Sequence, residues 1–203
     1  MYIPPKFRLG DDDAWRVVTD AGAGFFVRNT PSGPVSVFVP IVVEDDGRTL
    51  SSHVARANDW WRDADGTDVL VLALAASAYV SPLYYPSRLE DPAVVPTWNY
   101  VAAEVRGVVR IHDDPAWARA QVERQTTRFE LSAPNPWRVT DAPADYIARQ
   151  VRAIVGVSVE VRSIEGKAKL SQNRPDVDHD AVRDALATGS LADQQVARRM
   201  GNA

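Results

Sequence analysis

The chain has 203 residues, 45% of them hydrophobic and 25% charged, with a formal net charge of −4 at pH 7. This acidic balance argues against a large electrostatic footprint on nucleic acid. The absence of cysteine excludes disulfides, thiolate metal sites, iron–sulfur clusters and cysteine nucleophiles. No apolar run reaches the roughly 18 residues of a membrane span and no signal pattern is visible, so we expect a cytoplasmic protein with no membrane association.

The first half of the chain predicts a helix followed by antiparallel strands. Three successive acids, Asp11–Asp13, favour a helix start because negative side chains stabilise a helix N-terminus. Strands are expected from Phe25, over the alternating valines of residues 35–39, and through Leu50, which together form a meander. We expect a short helix over Val54–Arg62 to follow.

Two long strands are predicted in the middle of the chain. The apolar run at residues 69–74 predicts a central strand that is buried on both faces and broken near Pro82. The second long strand is expected over Tyr100–Ile111. Beyond it, Pro115 follows two acids, which predicts the start of a helix that runs to about Phe129.

The last third of the chain alternates between helical and extended patterns. Apolar residues at helical spacing over residues 147–154 predict a helix, and alternating valines at residues 157–161 predict a half-buried strand. That strand is expected to continue to Leu170. Ser190 and Asp193 have the spacing of a capping pair for a last short helix.

Together these elements predict an α+β, mostly β fold. Six or seven strands at short spacing, with helices inserted late, are typical of a closed or nearly closed β-barrel with helical insertions and a C-terminal helix. We expect one barrel domain over residues 1–174, with residues 175–203 as a polar, helical extension of the same domain.

The stretch Val94–Tyr100, which enters the second long strand, is a candidate ligand site. Pro96 biases the residue before it toward extended geometry. In a strand Trp98 and Tyr100 share one face, whereas Asn99 points to the other. Aromatic rings on one face and an amide on the other suit a planar ligand with polar edges. The structural alternative is an ordinary strand entry with two aromatic residues in the core, which would show the same spacing.

His53 is the most informative of the three histidines. It is followed at short spacing by Arg56 and Asn58, and suits a ligand, a general base or a hydrogen-bond donor. A core or capping histidine is the structural alternative. His112 is expected at the surface near a helix cap, and His179 is expected to be solvated in the polar tail.

The densest cluster of cations and amides lies near residue 170. Lys167 and Lys169 share a face if the segment is a strand. With Arg174 they could clamp a phosphate or a carboxylate, and Gln172 adds an amide. A solvated strand end is the structural alternative for this run of charge.

A third candidate cluster follows the first long strand. Ser81 could bond a phosphate, and Tyr79, Tyr84 or Tyr85 could stack on a ligand or donate a hydroxyl. Core tyrosines are the structural alternative. The acids and histidine at residues 176–180 resemble a metal cluster, but they lie in a tail without a framework, and no metal site is expected there.

Several blocks, in a fixed order, resemble the PaiB-like family, whose members are described as FMN-binding negative transcriptional regulators. The segment Val94–Tyr100, with the sequence VVPTWNY, is similar to the family's signature. The other blocks span nearly the whole chain. They are Met1–Phe7, Ser52–Asn58 with Trp61, Ala78–Pro82 running on to Tyr85–Arg88, and Ile164–Arg174.

The resemblance implies an FMN-binding split β-barrel that forms homodimers with cofactor sites at the subunit interface. It implies FMN as cofactor, a small molecule as ligand, and a role in regulation or small-molecule redox chemistry, with no catalytic residue assigned. Because the sequence shows no helix-turn-helix pattern and no basic stripe, direct DNA binding is not expected. The implied cofactor-binding residues are His53, Arg56, Asn58, Tyr79, Ser81, Trp98, Asn99, Lys167, Lys169, Gln172 and Arg174.

A more distant resemblance, carried by the His53 block and by Pro96–Asn99, is to the piperazate synthases. Those enzymes bind heme and close a nitrogen–nitrogen bond in N-hydroxyornithine. Heme b is therefore the alternative cofactor, with His53 as the iron ligand near the strand entry at Trp98. The chain also departs from the PaiB-like pattern at Val37–Pro40 and Ala168, where polar or aromatic residues are common, which implies a reshaped pocket.

Overall fold

The structure is a computed structural model that describes residues 1–201, and an antiparallel sheet is its main feature. The strands are β1 (Ala23–Thr30), β2 (Gly33–Pro40), β3 (Val42–Val43), β4 (Thr49–Ala55), β5 (Asp68–Val80), β6 (Thr97–His112) and β7 (Ile154–Lys169). Within the described residues they form one seven-stranded sheet in the order β2-β1-β5-β6-β7-β4-β3. The α+β, mostly β prediction is confirmed.

Five α-helices accompany the strands within residues 1–201. They are α1 (Asp11–Ala21), α2 (Pro115–Glu130), α3 (Ala144–Arg152), α4 (Asp176–Ala187) and α5 (Leu191–Met200). The predicted capping signals are confirmed: the Asp114 carboxylate accepts from the Ala116 N–H at 2.9 Å, and Ser190 and Asp193 form a capping box at α5. No helix in the described part is both long and apolar enough to cross a membrane.

The chain divides into two compact units. The first unit comprises Met1–Ala21, Ala73–Glu104 and Glu165–Ala203, and the second comprises Gly22–Leu72 and Val105–Ile164. The long strands β5, β6 and β7 each contribute residues to both units. The expected boundary at residue 174 stays a prediction.

The second unit is built on the β1-β2 hairpin. Its register runs from Ala23 opposite Pro40 to Thr30 opposite Gly33. Gly33 closes the turn at φ +113°, a conformation that side chains with a Cβ rarely adopt. Helices α2 and α3 bury a small apolar cluster of their own, formed by Ala118, Val139, Ile147 and Val151.

The first unit joins the start of the chain to the C-terminal helices. A Cβ at Gly166 would lie 2.7 Å from the Cβ of Ala14, so only glycine allows α1 to pack this closely. Asp178 on α4 is fully buried. Its carboxylate accepts from the Ser87 N–H at 3.0 Å and from the Ser87 hydroxyl at 2.7 Å, which fixes the turn Pro86–Leu89.

The helix predicted over Val54–Arg62 is wrong. Residues up to Ala55 belong to β4, and only Asp59–Trp61 form a short 3-10 turn. From Thr49 to Ala55, β4 pairs antiparallel with residues Glu160 to Ile154 of β7. This ladder supplies backbone hydrogen bonds that local helical spacing cannot reveal.

The expectation that residues 69–74 are buried on both faces is also wrong. Val69, Val71 and Ala73 are at most 4% exposed, whereas Leu72 and Leu74 on the opposite face are 37% and 57% exposed. The strand therefore alternates between a buried and an open face, although the open face carries leucines.

Candidate functional site

A pocket of about 210 Å³ lies within the first unit, and we call it the basic pocket. It collects residues from the N-terminal arm, the turn after β5, the start of β6 and the end of β7. Three of its lining residues are cations and none is a carboxylate. The lining residues are Lys6, Phe7, Tyr85, Val95, Thr97, Asn99, Lys169, Ser171, Asn173 and Arg174.

The cations of the basic pocket contact neutral groups. The Lys169 ammonium donates to the Thr97 hydroxyl and to the Trp98 carbonyl, the latter at 2.7 Å. The Arg174 guanidinium lies 4.5 Å from the centre of the Tyr85 ring, within the range of a cation–π contact. Burial lowers the pKa of Lys169 below its usual value, and repulsion from Lys167 and Arg174 lowers it further. The pocket thus concentrates positive charge that an anion would offset.

A buried hydroxyl without a partner completes the basic pocket. Tyr85 is fully buried, and its hydroxyl has no hydrogen-bond partner among the described residues. Buried polar atoms in folded proteins are nearly always paired, because an unsatisfied group costs the full desolvation penalty. Because Tyr85 lines the basic pocket, this unsatisfied polar group belongs to the wall of the pocket.

The floor of the pocket is held by a buried pair, Asn99 and Ser171. The Asn99 amide donates to the Ser171 hydroxyl at 2.9 Å, and the two side chains are 0% and 3% exposed. Ser171 has φ +64°, a left-handed conformation that is uncommon outside glycine and that clusters at functional sites. The sequence predicted a site role for Asn99; its direct part is to hold this turn.

Two exposed aromatic rings stand at the entry of β6. Trp98 is 55% exposed and Tyr79 is 47% exposed. Their rings meet edge to face, with centroids 6.1 Å apart. Trp98 and Asn99 point to opposite faces, as predicted, so the ring is free to stack on a planar molecule while the amide is buried.

The other predicted residues of the first unit make structural contacts. Ser81 accepts from the Leu83 N–H at 3.2 Å and caps a short turn. Lys167 is 9% exposed and donates to the Tyr2 carbonyl at 3.1 Å. The Gln172 amide binds the backbone at both ends, accepting from the Leu170 N–H at 2.6 Å and donating to the Ala168 carbonyl at 2.7 Å. The two contacts of Gln172 stabilise the turn that precedes Arg174.

His53 lies in the second unit and is the first of three side chains that are joined by hydrogen bonds. It sits on β4 opposite Gly156, and its Nδ1–H donates to the Gln121 Oε1 at 3.0 Å. Gln121 is fully buried and donates from Nε2 to Gln125 Oε1 at 3.0 Å. Burial lowers the pKa of His53, partly opposed by the Gln121 hydrogen bond. The ring is therefore neutral at pH 7, with its Nε2 lone pair available.

Arg56 and Asn58, also in the second unit, are engaged within the protein. Arg56 donates to both carboxylate oxygens of Asp113, at 3.1 and 2.6 Å, and to the carbonyls of Arg152 and Ile154. Asn58 accepts from the Trp60 N–H at 2.9 Å. Their donors and acceptors hold β4 to its neighbours, which leaves little capacity for a ligand.

His112 is not the surface residue that the sequence predicted. Its ring stacks on Trp117 at a centroid distance of 4.0 Å, and its Nε2 lies 2.8 Å from the hydroxyl of Ser158. Ser158 is 7% exposed, so this part of β7 is buried on both faces rather than half-buried. Gly156 makes room, because a Cβ there would collide with the Trp117 ring.

The predicted residues thus divide between the units. In the first unit, Asn99, Lys169 and Arg174 line the basic pocket, and Tyr79 and Trp98 form the exposed aromatic pair. His53, Arg56 and Asn58 belong to the second unit. Sequence reasoning missed Lys6, Ser171 and Asn173 as pocket residues. All three lie in Met1–Phe7 or Ile164–Arg174, two of the blocks that resemble the PaiB-like family, so the resemblance could have indicated them.

Residues 1–163 match the family model described as "Putative FMN-binding domain". The chain belongs to this family. FMN is accordingly its cofactor, and the resemblance to PaiB-like proteins is confirmed. The matched range includes His53 and Trp98 but ends before the Lys167–Arg174 segment.

The chain is similar to curated proteins in sequence and to solved structures in fold. A 33% identical match over 114 residues to the "Uncharacterized protein AN0679" of Emericella nidulans covers 51% of this chain and 45% of that protein. The chain thus matches about half the length of the curated relatives. The flavocytochrome Anf3 of Azotobacter vinelandii is 11% identical with a TM-score of 0.62, covering 89% of this chain and 78% of that one.

A further solved structure has the same fold. The FAD and heme binding protein of Mycobacterium smegmatis is 17% identical with a TM-score of 0.59, and the match covers 89% of this chain and 79% of that chain. At these identities the likeness concerns the fold alone. The split-barrel prediction is confirmed.

Proposed function

We propose that this chain is an FMN-dependent redox protein that acts on a small molecule as a homodimer. The observation that carries the proposal is the carboxylate-free basic pocket with its unpartnered Tyr85 hydroxyl, in a chain of an FMN-binding family. Bound FMN would supply reversible electron transfer to or from a small molecule. The exposed rings of Trp98 and Tyr79 offer a stacking surface for its planar ring system.

Redox chemistry is favoured over regulation by direct DNA binding. Helices α4 and α5 are joined by residues 188–190, a connection as short as that of a helix-turn-helix. Residues 176–200, however, carry five aspartates and three arginines, which would repel a phosphate backbone. A DNA footprint that survives physiological salt would contradict this reasoning and restore a direct regulatory role.

The test of the redox proposal is spectroscopic. We expect the purified protein to carry, or to take up stoichiometrically, a flavin that chromatography identifies as FMN after acid release. Anaerobic reduction should bleach the flavin absorbance, and a candidate oxidant should restore it. Protein that neither carries nor binds FMN would exclude the proposal. A flavin that is bound but cannot be reduced would leave a binding protein without turnover.

The homodimer rests on an apolar surface of the second unit. Phe25 and Phe38 are 49% and 61% exposed with ring centroids 5.0 Å apart, and Phe25 lies opposite Leu72 on β5. Contiguous exposed aromatic and leucine side chains are typical of an interface. Sedimentation should give a dimer that Phe38→Glu dissociates. A stable wild-type monomer at micromolar concentration would contradict this part of the proposal.

Heme chemistry of the piperazate-synthase type is the second candidate. The observation in its favour is His53. Its Nδ1–H donates to Gln121, so Nε2 carries the lone pair through which a histidine binds a metal. Two proteins with a similar fold are, by name, a flavocytochrome and an FAD and heme binding protein. If heme b binds, His53→Ala should shift or abolish the Soret band while the matched change His179→Ala does not. A heme spectrum unaffected by His53→Ala would exclude His53 as the ligand.

A further inference from the structure

We infer that the basic pocket is a receptor for a phosphate-type dianion, held by Lys169, Arg174 and the Tyr85 hydroxyl. The inference deepens the proposed function and rests on it where the dianion is the phosphate end of FMN. The same chemistry could recognise the phosphate of a small-molecule substrate. The experiments below separate these two sources.

The positive charge of the basic pocket is not compensated by the described part of the protein. Lys6, Lys169 and Arg174 line the pocket, and no aspartate or glutamate does. Where Lys169 donates, the acceptors are the hydroxyl of Thr97 and the carbonyl of Trp98, which carry no net charge. Two or three cations facing one small space repel each other unless an anion lies between them.

The unpaired hydroxyl of Tyr85 is a second feature that favours an anion. Tyr85 is 0% exposed and packs under the Arg174 guanidinium, while its hydroxyl has no partner within the described chain. A phosphate oxygen is a strong acceptor for a phenolic hydroxyl. A single phosphate group would therefore accept a hydrogen bond from the Tyr85 hydroxyl and also offset the positive charge of the pocket.

Among the polar groups of the pocket, the Arg174 guanidinium is available to a ligand. Asn99 and Ser171 are engaged with each other at the pocket floor, and Thr97 accepts from Lys169. No hydrogen bond or ion pair within residues 1–201 engages the guanidinium of Arg174, which makes only the ring contact with Tyr85. A guanidinium presents paired donors that match two phosphate oxygens. The Arg174 N–H donates to the Ser171 carbonyl at 2.9 Å, which ties the backbone of Arg174 to the pocket floor.

The size of the pocket limits what enters. A volume of about 210 Å³ is below the roughly 300–1,000 Å³ of sites that enclose a drug-sized molecule. The pocket suits a phosphate ester end or a small phosphorylated compound. The flavin ring system would have to lie outside it.

The first experiment compares FMN with riboflavin, which differ by the phosphate alone. Titrations by flavin fluorescence would use apoprotein of wild type, Lys169→Ala, Arg174→Ala and the control Arg183→Ala, an arginine of α4 that pairs with exposed aspartates. Loss of one charge-assisted contact should weaken FMN binding by about ten- to a hundredfold. Riboflavin binding, and FMN binding by the control, should not change.

The second experiment measures inorganic phosphate binding to the same apoproteins by calorimetry. If phosphate binds wild type and competes with FMN, and Arg174→Ala loses both, the flavin phosphate occupies the pocket. If phosphate binds and Arg174→Ala abolishes it while FMN affinity is unaltered, the pocket serves a phosphorylated substrate. Wild type that binds phosphate but no flavin would refute the proposed function and leave this inference standing.

One result overturns the inference. If Lys169→Ala and Arg174→Ala both fold and leave FMN and phosphate binding equal to wild type, the pocket is not an anion site. Should either variant unfold, Tyr85→Phe provides the same readout. It should weaken phosphate binding severalfold without lowering the melting temperature, and unchanged phosphate affinity in Tyr85→Phe would equally count against the inference.

Discussion

The cations of the basic pocket differ from the arginines of the second unit in the groups that lie beside them. Arg56, Arg110 and Arg162 each meet a carboxylate, Asp113, Glu160 and Asp68, at 2.6, 2.8 and 2.8 Å. Arg56 in turn lowers the pKa of Asp113, and Arg110 that of Glu160. In the basic pocket Lys169 and Arg174 have no carboxylate beside them. Charges that the chain neutralises itself are already engaged within the protein, whereas charges that it leaves uncompensated are available to a ligand.

Exposed arginine pairs of this kind contribute little to stability, because solvent screens them. They are a useful reference because arginine occurs both in these ion pairs and in the basic pocket. If the distinction is correct, variants in the basic pocket should change binding and leave stability alone. Variants in the buried contacts of the second unit should do the reverse.

The largest effect is expected from removing both cations of the pocket. Lys169→Ala/Arg174→Ala should weaken FMN binding by about 3–6 kcal/mol if two charge-assisted contacts are lost additively, or about two to four decades in Kd. The two residues share one ligand, so departures from additivity are expected. Arg110→Ala/Arg162→Ala is the matched control from the second unit. A control variant that loses FMN affinity equally would remove the distinction between the two regions.

The next effect concerns the buried amide of the second unit. Gln121→Leu removes the acceptor of the His53 Nδ1–H, and an unsatisfied buried donor costs about 1–3 kcal/mol. Chemical denaturation should report this loss, with FMN affinity unchanged. Gln150→Leu, an exposed residue of α3, is the control. Equal stability of Gln121→Leu and wild type would mean that the contact contributes nothing to the fold.

A smaller change of opposite sign is expected at Tyr85. Without ligand, Tyr85→Phe removes a buried hydroxyl that has no partner, so the free energy of unfolding should rise by about 1 kcal/mol. Tyr79→Phe, at an exposed ring, should leave stability unchanged. Destabilisation by Tyr85→Phe would indicate a partner for the hydroxyl and weaken the case for the pocket.

The elements that could be predicted from sequence carry their signals locally. Acids and proline at Asp114–Pro115 mark the start of α2, and Ser190 with Asp193 marks α5. The spacing of the predicted strands and helices indicated a mostly β, barrel-like fold, and the ordered blocks narrowed it to the FMN-binding split barrel. Lys169 and Arg174 were found because cations and amides are dense in one block.

What the sequence could not show depends on distant partners. The end of β4, Val54–Ala55, was assigned to a helix because its hydrogen-bonding partner is β7, about a hundred residues away. The stacking of His112 on Trp117 and the buried state of Ser158 arise from packing that no local pattern encodes. The lack of a partner for Tyr85 is a property of the folded chain. These are tertiary effects that override or bypass local preference.

The smallest effect is a pH dependence from His53. Its pKa is lowered below 6.5, first by burial, so the unfolded chain takes up a proton at a higher pH than the folded one. The free energy of unfolding should therefore fall as pH drops through 6.5 toward the folded pKa, and level off below it. His53→Gln should remove part of this slope; His112, whose pKa burial also lowers, supplies the same sign. In Gln121→Leu, NMR titration should give a His53 pKa lower still, because the hydrogen bond that raises it is gone. An unchanged pKa in that variant would show that Gln121 does not stabilise the charged ring.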